Sequence, residues 1–148
     1  MAGIGGAAAA THGWAYGVHT RRLVTFSLQG STQLPSLPPP TVVTPIEAPD
    51  FTIDPDLLPL GGNEFERTCA GCHGAGAIAA GMAPDLRASQ IVLSEEAFAS
   101  VVRDGVRASR GMPEFAGLTE RQLLAIRHYI RYSAEIPEGG AVGRAGGG

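Results

Sequence analysis

The feature that most constrains this chain is the run Cys-Ala-Gly-Cys-His, which contains its only two cysteines, Cys69 and Cys72, and ends at His73. Two thiols at this spacing can each form a thioether bond to one edge of a porphyrin, and the histidine that follows can bind the iron from one face. The run therefore predicts covalent attachment of haem c through Cys69 and Cys72, with His73 as an iron ligand.

Other uses of a C-x-x-C pair fit this sequence less well. A zinc site needs about four nitrogen or sulfur ligands, and the remaining candidates, His12, His19 and His128, form no second closely spaced pair. A thioredoxin-like redox pair would lie near a βαβ pattern, which this sequence lacks, and a disulfide across two residues would close too small a loop to add much stability. Haem attachment is the preferred interpretation.

Length and charge limit what else the chain can do. Its 148 residues are 44% hydrophobic with a net charge of −3, which is enough for one domain of ordinary size. Mild acidity without a basic patch argues against nucleic acid as a partner, and no apolar run approaches the roughly 18 residues of a membrane span. Residues 1–18 are rich in glycine and alanine but contain no basic region ahead of an apolar one, and Arg21-Arg22 come only afterwards, so we expect no export signal there.

The N-terminal third differs in pattern from the rest. Leu23–Leu28 alternates like a β-strand but has no partner strand downstream, and eight of the eleven prolines lie between Gln33 and Pro59, which favours an extended linker. We expect residues up to about Pro59 not to pack on the rest of the chain. The predicted fold is mainly α: a helical haem domain preceded by an extended proline-rich linker and an orphan β-strand. The predicted divisions are 1–30 with the strand, 31–59 for the linker, 60–136 for the haem domain and 137–148 for a glycine-rich tail.

Three helices are predicted in the haem domain. In the first, Gly61, Phe65 and Cys69 share a face that is bare enough at its glycines for another helix to cross closely. The second begins at Ser94 as N-cap and ends near Gly105, and its apolar stripe is Phe98, Val101 and Val102. The third begins with a capping box formed by Thr119 and Gln122, and it ends before Pro137. Leu118 and Leu123 form its hydrophobic staple. Its predicted buried face consists of Leu123, Ile126, Tyr129 and Ile130.

A sixth iron ligand has two sulfur candidates, Met112 and Met82. Met112 is favoured because it lies between a glycine and a proline, which together allow and stiffen a turn that presents sulfur. Met82 is close to Pro84, whose carbonyl is placed to accept the free ring N–H of His73 and would hold that loop on the histidine side. Either methionine can instead be core filling.

Two further side chains, His128 and Arg87, can carry a positive charge. His128 falls opposite the apolar face of its helix, so we expect a solvated surface histidine rather than a ligand. Arg87 is a candidate partner for a haem propionate, with a surface ion pair to Asp85 as the alternative.

Residues from about Leu60 to Ala134 resemble class I c-type cytochromes. The resemblance is carried by Gly61, Phe65, Cys69-x-x-Cys72-His73, Pro84-x-Leu86, Met112 and Tyr129. It implies that the first helix crosses the last, with Gly61 and Phe65 against Ile126 and Tyr129. It also implies that the Pro84 carbonyl binds the haem-ligating His73, that Leu86 packs on the haem, and that the iron is held by His73 and Met112.

A closer resemblance is to the C-terminal end of quinohaemoprotein alcohol dehydrogenases. Three motifs are similar to motifs of their cytochrome domain: Pro84-Asp85-Leu86-Arg87-x-Ser89, Val102-x-x-Gly105 and Gly111-Met112-x-x-Phe115. The N-terminal segments Ala2–Gly6 and Leu23–Leu28 are similar to the end of their β-propeller. The haem-pocket residues that these likenesses imply are Phe65, Pro84, Leu86, Arg87 and Phe115. Pyrroloquinoline quinone and calcium would then belong to a propeller outside this chain, and Met1 is either a true start or a fragment boundary.

These observations predict a monohaem c-type cytochrome that transfers single electrons. The implied donor is a quinoprotein dehydrogenase propeller, the acceptor a downstream cytochrome, copper protein or quinone, and the location the periplasm, where haem c is attached. On its own the chain is not expected to carry out the dehydrogenase reaction. Two alternatives are a haem enzyme or diatomic-gas sensor in which the methionine is displaced, and a non-functional fragment of a quinohaemoprotein dehydrogenase.

Overall fold

The computed structural model describes residues 25–33, 36, 43–79 and 83–136, and in these residues the regular structure is helical, without strands. Helix α1 is Leu58–Thr68, α2 is the short Ala70–His73, α3 is Glu95–Val102 and α4 is Glu120–Glu135. Short 3-10 turns lie between them at Pro55–Leu57, Ala75–Ala77, Leu86–Ala88, Gln90–Leu93 and Ala108–Arg110. The predicted mainly α fold is confirmed.

The centre of the fold is the crossing of α1 over α4. A Cβ atom on Gly61 would lie only 2.1 Å from the Ala125 carbonyl oxygen, so the absence of a side chain is what lets the two backbones touch. One turn further along α1, the buried Phe65 ring packs against Tyr129 with ring centroids 5.3 Å apart. This is the crossing that the cytochrome resemblance implied.

Helix α4 begins where its capping box predicts. The Thr119 hydroxyl accepts the Gln122 N–H at 3.3 Å, and the Gln122 side-chain oxygen accepts the Thr119 N–H at 2.9 Å, so two otherwise unpaired N–H groups are satisfied. The staple and apolar face are buried as predicted: Leu118, Leu123, Ile126, Tyr129 and Ile130. This face holds the helix on the domain from Leu123 to Ile130.

Helix α3 also matches its sequence signals at both ends but not across its whole stripe. The Ser94 hydroxyl accepts the Ala97 N–H at 3.2 Å, and Gly105, at φ +67°, follows the last turn in a conformation that favours glycine. Phe98 and Val102 are buried, whereas Val101, predicted to share their stripe, is only half-buried and lines an open cavity. Of the predicted stripe, Phe98 and Val102 therefore pack in the core, and Val101 lies at the cavity.

The last part of the proline-rich linker packs on the helical domain. The Ile46 N–H donates to the Arg87 carbonyl at 3.1 Å, and Arg131 donates to the Ile46 carbonyl at 3.0 Å. Near the start of α1, the Asp54 N–H donates to Nδ1 of His128 at 2.9 Å. We expected the linker to stay clear of the domain up to Pro59, and residues 43–57 do not. The reason is that Arg131 and His128 of α4 form hydrogen bonds with the linker backbone, which the proline-rich segment cannot form within itself because proline has no N–H.

The predicted strand is only partly covered by the described residues. Residues 22–24 lie outside them, and Thr25–Leu28 forms no strand there; the Gly30 N–H donates to the Ser27 carbonyl at 3.0 Å in a turn. Phe26 and Leu28 are exposed. The remainder of 1–24 and the 137–148 tail also lie outside the described residues. No helix in the part of the chain that the structure describes is long and apolar enough to cross a membrane.

Candidate functional site

The C-x-x-C-H run forms one helical turn that continues directly from α1. The Cys69 N–H donates to the Phe65 carbonyl at 2.8 Å, and the His73 N–H donates to the Cys69 carbonyl at 2.9 Å. Residues three and four apart on a helix share a face, so Cys69 presents its side chain beside those of Cys72 and His73. The crossing of α1 on α4 thus fixes the position of all three.

The two thiols are free and differ in exposure. Cys69 is buried and Cys72 is exposed. Burial raises the pKa of the Cys69 thiol, although a contact with the Thr68 hydroxyl at 3.3 Å opposes the effect. One thiol therefore lies in the core and the other at the protein surface.

The ring of His73 is oriented by a backbone carbonyl. Its Nδ1 lies 2.9 Å from the Pro84 carbonyl oxygen, which is the partner predicted from the sequence. A carbonyl can only accept, so Nδ1 carries the proton and Nε2 keeps its lone pair. Burial lowers the pKa of His73, opposed by this hydrogen bond and by the charge of Asp85. A neutral, fixed imidazole with a free Nε2 is the form that binds a metal.

The loop that carries Pro84 is held by Asp85. Its carboxylate accepts the Ala79 N–H at 3.2 Å and the Arg87 N–H at 3.0 Å, and forms a two-point ion pair with the Arg87 guanidinium at 3.0 and 2.9 Å. Arg87 is only 2% exposed. The ion pair with Asp85, which the sequence offered as the alternative to a propionate, is therefore present, but it is buried rather than on the surface, and it stabilises the loop that orients His73.

This role of Asp85 was not predicted from the sequence. The signal was present, because an aspartate directly before a short helical turn is a common N-cap, and Asp85 caps the 3-10 turn Leu86–Ala88. What could not be read from the pattern was the bond from Asp85 to Ala79, which joins the two sides of the loop.

The favoured sixth ligand, Met112, lies in the segment between α3 and α4. It is half-buried and packs, together with Leu86 and Phe115, against the core cluster that contains Cys69. Gly111 before it has φ +91°, which a glycine adopts without strain, and nothing lies within 4 Å of where its Cβ would be. Met82, the other candidate, lies outside the described residues.

These residues suit a haem. Two free thiols lie on the same helical turn as an imidazole with an available Nε2, and a thioether side chain lies on the same apolar core. Thiols, histidine and methionine are the groups that attach haem c and ligate its iron. Cys69 and Cys72 would hold the porphyrin, and His73 and Met112 would bind the iron.

Comparisons with known proteins relate this part of the chain to cytochromes. A family profile described as cytochrome c oxidase, cbb3-type, subunit III matches residues 58–130. Quinohemoprotein alcohol dehydrogenase ADH IIB of Pseudomonas putida is 38% identical over 136 residues, covering 88% of this chain and 19% of that protein. The dehydrogenase subunit of the quinone alcohol dehydrogenase of Gluconobacter oxydans is 35% identical over 128 residues, covering 84% of this chain and 16% of that protein.

The fold is also similar to a solved structure. Quinohemoprotein alcohol dehydrogenase ADHIIG of Pseudomonas putida HK5 is 30% identical, with a TM-score of 0.55 over 71% of this chain and 15% of the other. Residues 58–130 form a c-type cytochrome domain. It is homologous to the cytochrome c domain of quinohaemoprotein alcohol dehydrogenases. The chain spans less than a fifth of the length of these relatives.

Within the cytochrome domain, His128 is not the solvated surface residue that its helical position predicted. Its ring is half-buried, lies 5.0 Å from the Phe51 ring between centroids, and accepts the Asp54 N–H. Burial and the neighbouring Arg127 charge lower its pKa, and Asp54 and Glu95 oppose this. The prediction was wrong because the linker covers the face of α4 that the periodicity left to solvent.

The remaining predicted pocket residues fall into two groups. Pro84 and Leu86 lie in the segment that follows the attachment turn, and Phe115 lies between α3 and α4. Phe65 is completely buried at the helix crossing. Contact of any of them with haem, and the pairing of Arg87 with a propionate, stay predictions.

Proposed function

We propose that this chain is a monohaem electron-transfer domain in which Cys69 and Cys72 attach the haem, and His73 and Met112 bind its iron. The observation that supports the proposal most directly is the hydrogen bond from His73 Nδ1 to the Pro84 carbonyl, 2.9 Å long, on the turn that carries both thiols. It fixes the tautomer that leaves Nε2 available, and gives the ring one orientation relative to the attachment points.

The chain's own residues set the properties of the site. Bound haem supplies a one-electron couple between ferrous and ferric iron. The neutral Met112 sulfur in an apolar setting would favour the reduced form and raise the potential. Asp85 and Arg87 would keep the His73 loop in place during electron transfer, because their two-point ion pair is buried. Such a site needs no substrate bond to be broken.

The partners follow from the relatives. ADH IIB, which is a quinohemoprotein by name, contains a region similar to this chain and extends far beyond it. We therefore propose that the electron donor is a reduced quinone cofactor in a quinoprotein dehydrogenase propeller, with pyrroloquinoline quinone and calcium held there. The acceptor would be a downstream cytochrome, a copper protein or a quinone. Because haem c is attached outside the cytoplasm, we propose a periplasmic location.

Haem attachment is tested by producing the full chain in a host that matures c-type cytochromes. The parent should give a haem-staining band after denaturing electrophoresis, since thioether bonds survive denaturation. The double variant Cys69→Ala, Cys72→Ala should lose the band. Haem that is extracted from the parent by acid-acetone would contradict the proposal.

Iron ligation is tested on the haem-loaded protein. Met112→Ala should abolish the sulfur-to-iron charge-transfer band of the ferric form and lower the midpoint potential, while the matched control Met82→Ala should leave both nearly unchanged. The reverse pattern would assign the ligand to Met82. Carbon monoxide binding by the reduced parent would instead favour a haem enzyme or gas sensor, because a firmly held methionine excludes it.

A further inference from the structure

Arg131 of α4 is buried without a counter-charge. It is 3% exposed, and among the described residues it contacts no carboxylate. Its Nη1 donates to the Ile46 carbonyl oxygen at 3.0 Å, while its Nε has no hydrogen-bond partner there. Burial of a cation with so few partners is costly, and an apolar side chain of similar volume would serve stability as well or better. The position of Arg131 is therefore better explained by what it holds, the Ile46 carbonyl, than by stability.

Ile46 joins Arg131 to a second segment of the domain. Its carbonyl accepts from Arg131, and its own N–H donates to the Arg87 carbonyl at 3.1 Å. Pro45 before it has no N–H, and the N–H of Glu47 after it reaches no acceptor in the part of the chain that the structure describes. Ile46 is therefore a two-sided attachment between α4 and the 3-10 turn that contains Arg87.

Arg87 carries this attachment from its backbone to its side chain. Its carbonyl binds Ile46, while its N–H and its guanidinium bind the Asp85 carboxylate. Asp85 directly follows Pro84, whose carbonyl lies 2.9 Å from Nδ1 of His73. The Pro84 carbonyl and the Asp85 N–H belong to one planar peptide group, so the placement of Asp85 sets the direction of that carbonyl. A displacement of Arg87 would therefore move the acceptor that orients the His73 ring.

We propose that Arg131 is a positioning residue for His73 and acts through Ile46 of the linker. By holding the Ile46 carbonyl, it keeps the Ile46 N–H on the Arg87 carbonyl, and the turn of Arg87 then presents the Pro84 carbonyl to Nδ1. The inference rests on the proposed function, because it gives the linker a role in orienting the histidine that binds the iron. The linker is then a part of the site's support and not only a connection.

The test uses the haem-loaded full chain with labelled histidine, in the ferrous form. Two variants break different bonds of the series: Arg131→Met removes the donor to Ile46, and Ile46→Pro removes the N–H that reaches Arg87. Nuclear magnetic resonance measures how fast the Nδ1 proton of His73 exchanges with solvent. Both variants should make this exchange about tenfold faster, because the hydrogen bond to the Pro84 carbonyl opens more often when its support is lost.

Each variant has a matched control. Arg127→Met removes another buried arginine of α4, whose Nε donates to the Val92 carbonyl at 3.0 Å and which donates to no linker carbonyl among the described residues. Glu47→Pro adds a proline next to Ile46 but removes an N–H that holds nothing. Both controls should leave the His73 proton unchanged, even where Arg127→Met lowers the Tm. Arg131→Lys should recover part of the protection, because it keeps a donor for the carbonyl.

Unchanged exchange of the His73 proton in Arg131→Met would overturn the proposal, and would leave Arg131 a stabilising residue only. An equal acceleration in Arg127→Met would overturn it too, because the effect would then follow general loosening of α4. If Arg131→Met does not fold, Ile46→Pro and its control decide: faster exchange in Ile46→Pro alone supports the proposal, and unchanged exchange rejects it.

Failure of this inference differs from failure of the proposed function. A parent that carries covalent haem and keeps the same His73 exchange rate in both variants rejects this inference alone. A parent without covalent haem rejects the proposed function and this inference with it.

Discussion

Substitution of Gly61 by alanine should loosen the crossing that positions the attachment site. The added Cβ would lie 2.1 Å from the Ala125 carbonyl oxygen and 2.9 Å from the Tyr129 Cβ, while ordinary contacts begin at 3.4 Å. The shortfall is about 1.3 Å, the difference between 3.4 and 2.1 Å. Backbone atoms cannot rotate away, so α1 and α4 must separate, and the packing of Phe65 on Tyr129 is lost with them.

The magnitude follows from two opposing effects. Alanine improves helix propensity by about 1 kcal/mol over glycine. Overpacking a core costs about 1–3 kcal/mol and occasionally more, and a clash with backbone belongs at the upper end. We expect Gly61→Ala to lower the free energy of unfolding by about 2 kcal/mol, which corresponds to a Tm roughly 10 °C lower for a domain of this size.

The assay is thermal unfolding of the haem-loaded full chain, followed by circular dichroism. Gly62→Ala is the matched control on the same helix. Its Cβ would meet the Tyr129 ring at 3.2 Å, and a ring edge at the end of a side chain can move by a few tenths of an ångström. The control should therefore stay within a few degrees of the parent. A Gly61→Ala protein with a Tm equal to or above that of Gly62→Ala would refute the close crossing.

Three further perturbations test other contacts. Thr119→Ala should cost about 1 kcal/mol of stability in denaturant unfolding by removing the α4 cap, and Thr119→Ser should recover most of it. The pKa of His128 is lowered in the folded chain, so the stability that neutral His128 contributes is complete above its ordinary pKa of 6.5 and is lost as the pH falls through the lower folded pKa. Hydrogen exchange should therefore show the linker amides opening in acid. The variant His128→Phe should lack this pH dependence. Asp85→Asn should lower the free energy of unfolding by about 3 kcal/mol, since it breaks a buried ion pair with Arg87. Asp104→Asn, in a half-exposed pair with Arg103, should lower it by under about 1 kcal/mol. Equal losses in the two variants would rule out a special role for the buried pair.

The helices and the attachment run were predictable because their signals are local. The capping box at Thr119, the cap at Ser94 and the face of Gly61 and Phe65 involve residues within a few positions of one another, and each was found where expected. The turn at Cys69–His73 also follows from consecutive residues, so the sequence determined which side chains can attach and ligate a haem.

The partners of charged side chains were decided by the tertiary structure. Ile46 and Arg131 are 85 positions apart, and Asp54 and His128 are 74 apart, yet both pairs are joined by hydrogen bonds. Periodicity tells which face of a helix is apolar, but it does not tell which distant segment will cover the polar face. For this reason the sequence predicted that His128 is exposed to solvent and that the linker does not pack on the helical domain.

The same limit applies at the candidate site. The sequence offered two uses for Arg87, a haem propionate and a surface ion pair with Asp85. Only the folded chain shows that the pair with Asp85 is formed and that it is buried, with Arg87 2% exposed. Local chemistry determined what kinds of groups the site contains, whereas long-range packing, which depends on contacts that no short pattern encodes, decided which of them are buried and which partners they contact.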